Sequence, residues 1–231
     1  LALKILTEYA SERIRKHQIL SVFRTYMAPQ VVDELSRQNN YRIELGGRSC
    51  DIAVLFVDIR GFTSLSEGMT AEEVVDILNH YLGNVTNAIF KNGGTLDKFI
   101  GDAVMAIYNA PIDIDDYCDK AVQTAFDIIE SMQAVNRELK EIHGREIACG
   151  VGVHCGKAVV GNIGCQYRMD YTAIGDTVNI AERLESLAKG GEILISGEVY
   201  EQVREHYQAE PIGEQSLKGR QDKVEVYRML F

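Results

Sequence analysis

The sequence predicts an α+β domain: a ferredoxin-like βαββαβ core, further β/α elements behind it, and a helix at the N-terminus. One observation is the apolar run at residues 52–57, which has the length and branching of a buried strand. Another is the Gly101-Asp102 step between two short apolar runs, a usual hairpin signal. Between the run and the hairpin, the apolar spacing is that of one helix. These features give the first β, α, β and β elements in order.

The N-terminal stretch is the first element of the chain. Residues 1–27 contain neither Gly nor Pro, and their apolar residues roughly follow a 3-4 spacing. Two interpretations stay open: a helix on the surface of the domain, or a parallel coiled coil that joins two protomers and transmits a signal from an upstream domain. With a boundary near Pro29, the sequence predicts an N-terminal helical or coiled-coil linker over residues 1–28 and a domain over residues 29–231.

Two long helices are predicted inside that domain. Thr70 and Glu73 form a capping-box pattern, and the helix that it opens ends at the Gly93-Gly94 pair. The second helix runs from about residue 114 to 142, with Gly144 as its stop. Shorter patterns predict strands at 147–154 and 158–160, interrupted by Gly156, a helix at 176–188, a strand at 192–196, a helix at 198–205 and a strand at 223–230.

Composition argues against several classes of function. The chain has 24 Lys and Arg against 34 Asp and Glu, a formal net charge of −10, so it is a poor candidate for binding nucleic acid. No run approaches the ~18 apolar residues of a membrane helix. The 5 cysteines include no Cys-x-x-Cys pair, which is typical of reduced cytosolic thiols. These features predict a cytoplasmic location, for the chain itself or for the cytosolic part of a larger, membrane-attached protein.

Two carboxylates stand where they can converge. Asp58 follows the apolar run directly, and Asp102 lies at the tip of the predicted hairpin. Two such oxygen donors suit Mg²⁺, which binds through one or two carboxylates together with substrate phosphates. From spacing alone the ordinary interpretation has more weight, because an Asp after a strand is usually a cap or loop residue and Gly-Asp is a common turn.

Three motifs change that balance. They are residues 56–63 (FVDIRGFT), 98–102 (KFIGD) and 171–183 (YTAIGDTVNIAER). In this order and at this spacing they resemble the class III nucleotidyl cyclase catalytic domain, and the resemblance covers roughly residues 28–231. It implies a ferredoxin-like fold, in agreement with the predicted element order. It also implies an enzyme of the adenylate cyclase type, a phosphorus-oxygen lyase.

The resemblance further implies catalysis by two metal ions, Mg²⁺ or Mn²⁺. Asp58 and Asp102 match the carboxylates that hold the ions, and the backbone carbonyl of Ile59 is expected to complete one site. One ion lowers the pKa of the attacking hydroxyl and the other neutralises the leaving group. The turn after Asp58 brings Phe62 and Thr63 to the substrate phosphates through backbone N–H groups. For the Phe62 side chain, a structural role in the core stays open.

Lys98 and Thr172 match the residues that read the base. Lys98 would donate to adenine N1, and Thr172 would accept from the exocyclic amine, whereas a guanine reader needs an acceptor at position 98. The pair is typical of the bacterial and soluble adenylyl group, whose members often respond to bicarbonate, so bicarbonate is a candidate regulator. Without the resemblance, Lys98 is simply an exposed lysine of a hairpin.

Asn179 and Arg183 lie four residues apart on a predicted helix and therefore share a face. The resemblance implies that Asn179 positions the ribose and that Arg183 stabilises charge on the transferring phosphoryl group. Lys218, with Arg220 as a second cation, matches a lysine that contacts the terminal phosphates, although this match is short. Some family members carry an Arg where this chain has Gly150, which leaves part of the phosphate clamp unassigned.

The resemblance also implies an assembly. In the family, the metal carboxylates of one subunit face the base-reading and phosphate-stabilising residues of the other. This chain carries both sets, so a symmetric homodimer with two equivalent sites is expected. The implied reaction converts ATP to 3′,5′-cyclic AMP and pyrophosphate. The implied partners are ATP, a second copy of the chain and an upstream sensory domain. Two alternatives stay open: a guanylyl cyclase, and a catalytically inactive nucleotide-binding dimerisation module of a sensor protein.

Overall fold

The computed structural model describes residues 2–37, 44–216 and 222–231. The chain forms two compact units, Leu1–Glu44 and Leu45–Phe231. The predicted boundary between a linker and a domain near residue 29 stays a prediction. Among the described residues, no helix is long and apolar enough to cross a membrane.

The first unit consists of helix α1 (Ala2–Tyr26) and helix α2 (Pro29–Arg37). Helix α1 agrees with the helix predicted over residues 1–27. An ion pair of 2.6 Å between Arg24 and Asp33 joins the two helices. Pro29 opens α2, a position at which the missing N–H of proline loses no helical hydrogen bond.

In the second unit, the described residues form an eight-stranded sheet with helices packed on it. The strands are β1 (Gly46–Ile59), β2 (Thr95–Ile100), β3 (Ala103–Tyr108), β4 (Cys149–Cys165), β5 (Arg168–Ile174), β6 (Ile193–Ser196), β7 (Ala209–Gln215) and β8 (Val224–Met229). The helices are α3 (Phe62–Ser66), α4 (Ala71–Lys91), α5 (Tyr117–His143), α6 (Asp176–Leu187) and α7 (Gly197–Val203). The sheet order is β2-β3-β1-β4-β6-β8-β7, and β5 pairs with β4.

Strands β2, β3, β1 and β4 form the predicted core. Each is antiparallel to its neighbour in the sheet, α4 lies between β1 and β2 in the chain, and α5 lies between β3 and β4. This is the βαββαβ arrangement of the ferredoxin-like fold, so the predicted fold class is confirmed. Strand β6 extends the sheet as a parallel neighbour of β4, and the other strands are the predicted additional elements.

The sheet has an apolar core on each face. Successive residues of a strand point to opposite faces. Ala53 and Leu55 of β1 belong to the core that α4 and α5 cover. Val54 and Phe56 belong to the core that residues of β4, β5 and α6 share. By the same alternation, Asp58 continues the second series, on the face that carries α6.

Local chemistry sets the ends of the long helices. At the start of α4, the Thr70 hydroxyl accepts from the Glu73 N–H and the Glu73 carboxylate accepts from the Thr70 N–H, so the predicted capping box is confirmed. Gly144 ends α5 in the left-handed conformation, at φ 65°. Helix α5 begins at Tyr117, three residues later than predicted.

The prediction for β4 was wrong in one respect. Gly156 does not interrupt it, because β4 is a single strand of 17 residues in which Gly156 pairs with Ile52 of β1. Pairing along the whole of β1 keeps this stretch extended and outweighs the local signal of a glycine. Strands β5 and β7 were not predicted. Strand β7 contains Pro211 and Gly213, residues that weaken a strand pattern.

Candidate active site

Asp58 and Asp102 come together at one end of β1, in what we call the metal corner. Asp58 is the next-to-last residue of β1, and Asp102 lies in the turn between β2 and β3. Because β3 pairs with β1 up to Val57 and Val104, this turn lies beside the end of β1. The two carboxyl groups are within hydrogen-bonding reach of each other. The predicted convergence is therefore present within one chain.

The electrostatics of the metal corner favour a bound cation. Burial raises the pKa of Asp58 to about 6, and the adjacent Asp102 carboxyl adds to this rise. Two groups lower the pKa of Asp58: Arg60, and the Ile59 N–H, which donates to Asp58 Oδ1 at 2.9 Å. A pair of close carboxylate groups fits Mg²⁺ or Mn²⁺, which would relieve their repulsion. In the described part of the chain, no cluster of three or more His, Cys, Asp or Glu side chains could hold a metal ion. Further ligands here would therefore be backbone, water or phosphate oxygens.

A buried tyrosine lies close to the metal corner. Tyr81 of α4 is fully buried, and its hydroxyl has no hydrogen-bond partner among the described residues. Burial raises the pKa of Tyr81 well above its ordinary value, and the nearby Cys149, Asp58 and Asp102 raise it further. The hydroxyl of Tyr81 is therefore a neutral polar group near the carboxylates.

Arg60 connects the end of β1 to α6. Its guanidinium donates to the backbone carbonyl of Asp58 at 3.2 Å and to those of Glu185 and Ala188 at 3.3 Å each. It also forms an ion pair with the buried carboxylate of Glu185. The connection holds the metal corner against the helix that carries two predicted catalytic residues.

The turn after β1 carries the residues predicted to bind phosphate. Gly61 has a φ of 69°, in the left-handed region that favours glycine, and α3 begins at Phe62. The Phe62 side chain packs against the core under α4 and α5, which is the structural role that the sequence left open. Thr63 is exposed. The first N–H groups of a helix have no acceptor within it, so the backbone of Phe62 and Thr63 can meet an anion.

Lys98 and Thr172 lie on either side of a third residue, Asp97, and the three form what we call the base corner. The Thr172 hydroxyl donates to Asp97 Oδ2 at 2.5 Å, and Lys98 Nζ lies 3.3 Å from Asp97 Oδ1. The Asp97 side chain is 0% exposed. Burial raises the pKa of Asp97, while Thr172, Lys98 and the Ala173 N–H oppose that shift. One carboxylate thus joins two residues from strands that do not pair with each other.

Asn179 and Arg183 lie on α6, which packs tightly on β4. A Cβ at Gly152 of β4 would lie 2.1 Å from the Glu185 nitrogen and 2.5 Å from the Ala181 carbonyl oxygen, so this contact requires glycine. Asn179 is exposed. Nη1 of Arg183 is buried and has no hydrogen-bond partner in the residues that the structure describes. Buried polar atoms are rarely left in this way, which fits a site whose anion comes from outside the chain.

One chain does not join all the predicted residues. Between described residues, no hydrogen bond or ion pair links Asp58 or Asp102 to Asn179 or Arg183. Lys218 and its neighbour at position 220 lie outside the described residues. The structure therefore contains a metal corner, a base corner and a helix with Asn179 and Arg183 as separate parts.

Gly150, the position at which the resemblance implies an arginine in some family members, is closely packed. It pairs with Asp58 across β1 and β4. A Cβ at this position would lie 3.0 Å from the Ala188 Cβ, so a larger side chain would push against the end of α6. The missing arginine is consistent with the way this helix packs.

Comparison with known proteins shows the family. A family model described as the adenylate and guanylate cyclase catalytic domain matches residues 47–230. The chain belongs to this family. The resemblance to the nucleotidyl cyclase catalytic domain inferred from the three motifs is therefore confirmed.

Individual cyclases are similar over most of the chain. Adenylate cyclase 1 of Rhizobium meliloti is 35% identical over 205 residues, which make up 87% of this chain and 31% of that protein. The structure of the adenylyl cyclase CyaB from P. aeruginosa matches at a TM-score of 0.78 and 35% identity, covering 81% of this chain and 97% of that chain. The guanylyl cyclase Cya2 matches at 0.78 and 34% identity, covering 80% and 94%. Overall likeness to cyclases therefore does not decide between ATP and GTP.

Three residues of this candidate site were missed by the sequence analysis: Asp97, Arg60 and Glu185. For Asp97 the sequence shows only an acidic residue inside a strand pattern, and its burial depends on the register shift between β2 and β3. For the Arg60 and Glu185 pair no local signal exists, since the two residues are separated by 125 positions in the chain.

Proposed function

We propose that the chain is the catalytic domain of an adenylyl cyclase, which converts ATP to 3′,5′-cyclic AMP and pyrophosphate. The base corner carries the proposal. Because the Thr172 hydroxyl donates its hydrogen bond to Asp97, its lone pairs are free to accept from the exocyclic amine of adenine. The Lys98 ammonium is a donor and suits N1. Guanine has a carbonyl and an N–H at these two positions and would meet two mismatches.

We place two ions per site, Mg²⁺ or Mn²⁺, at Asp58 and Asp102, with the Ile59 carbonyl completing one of the two sites. The closeness of the carboxyl groups and the raised pKa of Asp58 support this placement. When bound, the ions supply activation of the 3′-hydroxyl and neutralisation of the triphosphate.

The proposed reaction is a displacement at the α-phosphorus. The ribose 3′-oxygen forms a bond to that phosphorus as the bond to the pyrophosphate oxygen breaks, and the hydroxyl proton passes to water. Asn179 holds the ribose in line with the phosphorus. Arg183, with its unpartnered Nη1, donates to the phosphoryl oxygens as charge develops on them. The N–H groups of Phe62 and Thr63 bind the remaining phosphates, and Lys218 contacts the terminal one.

We propose that the active form is a symmetric homodimer in which the metal corner of one copy faces the base corner and α6 of the other. Both sets are present in each chain without being joined there. Exposed apolar side chains support a second copy: Phe99 (47%) and Ile100 (53%) at the end of β2, and Val159 (43%) and Ile174 (52%), which pair across β4 and β5. Exposed apolar side chains such as these suit an apolar partner surface.

The domain is proposed to act within a longer cytoplasmic protein that carries an upstream sensory domain, since the chain spans 31% of its Rhizobium relative. Helix α1 exposes Ile19, Phe23 and Tyr26, whose four-three spacing suits a parallel coiled coil between two copies. The Lys98 and Thr172 pair supports bicarbonate as the regulator to test first.

A guanylyl cyclase is the second candidate, because Cya2 is as similar in structure as CyaB. The test is an assay of the purified chain with Mg²⁺ or Mn²⁺ and either ATP or GTP, with the products separated by chromatography and Asp58→Ala as the blank. We expect cyclic AMP from ATP at least about tenfold faster than cyclic GMP from GTP. A preference for GTP would replace the adenylyl proposal with the guanylyl one. If neither cyclic AMP nor cyclic GMP forms, the result would favour an inactive dimerisation module.

A further inference from the structure

We propose that Asp97 is a positioning residue that determines base specificity: it holds the Thr172 hydroxyl as an acceptor and so selects a 6-amino purine over a 6-oxo purine. The inference rests on the proposed function, in which Thr172 and Lys98 read the base. Asp97 does not contact the base in this proposal; it acts through Thr172.

An irregularity in β2 brings Asp97 to this position. Leu96 pairs with Ala106 of β3 and Lys98 with the adjacent Met105, so Asp97 is the extra residue of a β-bulge. In a regular strand, Asp97 and Lys98 would point to opposite faces of the sheet. The bulge changes the direction of the side chains, and the Asp97 carboxylate reaches both Lys98 and β5.

A threonine hydroxyl cannot discriminate alone. It has one proton to donate and lone pairs that accept, and it rotates to suit its partner. A free Thr172 could therefore accept from the amine of adenine or donate to the carbonyl of hypoxanthine or guanine. The 2.5 Å hydrogen bond to Asp97 removes the second option, because it commits the only proton. Full burial of the Asp97 side chain keeps solvent from competing for that proton.

Lys98 does not need such positioning. An ammonium has three donors and no acceptor in any orientation, so its polarity is the same with or without a neighbouring carboxylate. The contribution of Asp97 to specificity therefore passes through Thr172, and this separates the proposal from a general structural role of a buried ion pair. A structural role would affect the binding of all purine nucleotides alike.

The sharpest substitution is Asp97→Asn, which keeps the size of the side chain. Lys98 Nζ, 3.3 Å from Oδ1, attracts the amide oxygen and leaves the amide NH₂ facing Thr172. The Thr172 oxygen then accepts from that NH₂, and its own proton is free for a 6-oxo group. We expect the preference for adenine over hypoxanthine to fall about tenfold, the effect of exchanging one hydrogen bond.

The measurement is equilibrium binding of 2′,3′-dideoxy-ATP and 2′,3′-dideoxy-inosine triphosphate with Mn²⁺. These nucleotides lack the attacking oxygen and differ at purine positions 1 and 6. The ratio of the two Kd values is compared for the unmodified chain, Asp97→Asn, Thr172→Val and the double variant. Asp170→Asn, an exposed carboxylate on β5, is the matched control and should leave the ratio unchanged. Asp97→Asn should lower the ratio in the presence of Thr172 and have no further effect in the Thr172→Val background.

Each outcome decides the proposal. An unchanged ratio in Asp97→Asn overturns it, and so does an equal fall on both backgrounds, which would show that Asp97 does not act through Thr172. Asp97→Leu serves if the Asn variant fails to fold; without a carboxylate the hydroxyl rotates freely, and the ratio should again fall. Failure of the proposed function gives a different pattern: no cyclic product from ATP, with the binding ratios still behaving as expected. No preference for adenine in the unmodified chain would overturn the inference.

Discussion

At the metal corner Asp58 and Asp102 face each other as like charges, whereas at the base corner the Asp97 carboxylate is surrounded by donors from Thr172, Lys98 and the Ala173 backbone. Both corners contain buried carboxylates, and burial raises the pKa of Asp58 and of Asp97. They differ in what satisfies the charge. At the base corner the partners belong to the chain, although Asp97 Oδ1 has only the Lys98 ammonium at 3.3 Å and no aligned hydrogen bond. At the metal corner the Ile59 N–H and Arg60 offset the raised pKa of Asp58 only in part, and further positive charge must come from outside.

The difference shows how one fold can hold two kinds of binding site. A corner whose charge is paired within the chain is preorganised, so binding a base requires little further ordering of its side chains. A corner with unsatisfied charge is stabilised by its ligand and binds a cation strongly for the same reason. Substitutions at one corner at a time test this difference, and the largest expected effect is at the metal corner.

The metal corner should be indispensable for turnover. We expect Asp58→Ala or Asp102→Ala to lower kcat by about a thousandfold or more, because each removes a charge that holds an ion rather than a core contact. The measurement is cyclic AMP formation at saturating Mn²⁺. Asp115→Ala, an exposed acidic residue before α5, is the control and should keep full activity. Retained activity in either aspartate variant would refute the metal assignment.

The next prediction concerns the two copies of the chain. Arg183→Ala and Asp58→Ala should each be nearly inactive, since both sites of each homodimer are broken. When the two proteins are mixed, a heterodimer has one site with both defects and one with none. Activity should return to at most about half of the unmodified rate per dimer. The measurement is cyclic AMP formed against mixing ratio after subunit exchange. A flat response, with mass evidence that heterodimers formed, would contradict a shared site.

The base corner should affect selectivity more than rate. Lys98→Glu combined with Thr172→Cys exchanges the donor and acceptor pattern, so we expect the preference for ATP over GTP in kcat/KM to fall about tenfold or more. The same double change leaves the carboxylates of the metal corner in place, and the metal concentration for half activity should stay the same. Full retention of the ATP preference would show that these residues do not read the base.

Much of the fold could be predicted because its signals are local. The capping box at Thr70, the continuous apolar run of β1 and the Gly101-Asp102 turn each act within a few residues, and together they give the order of the core elements. Strand pairing could not be predicted in the same way. Gly156 is a break signal by itself, but 14 consecutive pairs with β1 hold β4 extended through it.

The site was predictable to the extent that its motifs are contiguous. Asp58 and Asp102 converge as the three motifs predicted, and Lys98 and Thr172 both contact Asp97 although 74 positions separate them. What joins Lys98 and Thr172 was not predictable, because it depends on a register shift between β2 and β3 that places Asp97 against β5. A bulge of one residue has no distinct pattern in the sequence. Its effect on Asp97, a contact with Thr172, depends on β5 lying next to it.

The smallest expected effect is the most direct test of the contrast between the corners. In metal-free protein, Asp102→Asn should raise the free energy of unfolding at about pH 8 by about 1 kcal/mol, because it removes a like charge beside Asp58. Thr172→Val should lower it by about 2 kcal/mol, because it leaves the buried Asp97 carboxylate without its closest donor. Both values come from urea unfolding with a chelator, at one protein concentration, since association adds to apparent stability.

The pKa of Asp58 also predicts how the stability difference between the unmodified chain and Asp102→Asn changes with pH. The folded-state pKa of Asp58 is about 6 against an ordinary value of 3.8. A raised carboxyl pKa stabilises the folded protein fully below the ordinary value, and the contribution is lost as pH rises through about 6. The unmodified metal-free chain should therefore lose stability from this group between about pH 4 and pH 7, and Asp102→Asn should lose less. The difference between the two proteins should grow over that interval. If it is the same at both ends, or if Asp102→Asn is the less stable at about pH 8, the carboxylates do not repel each other and the contrast between the corners fails.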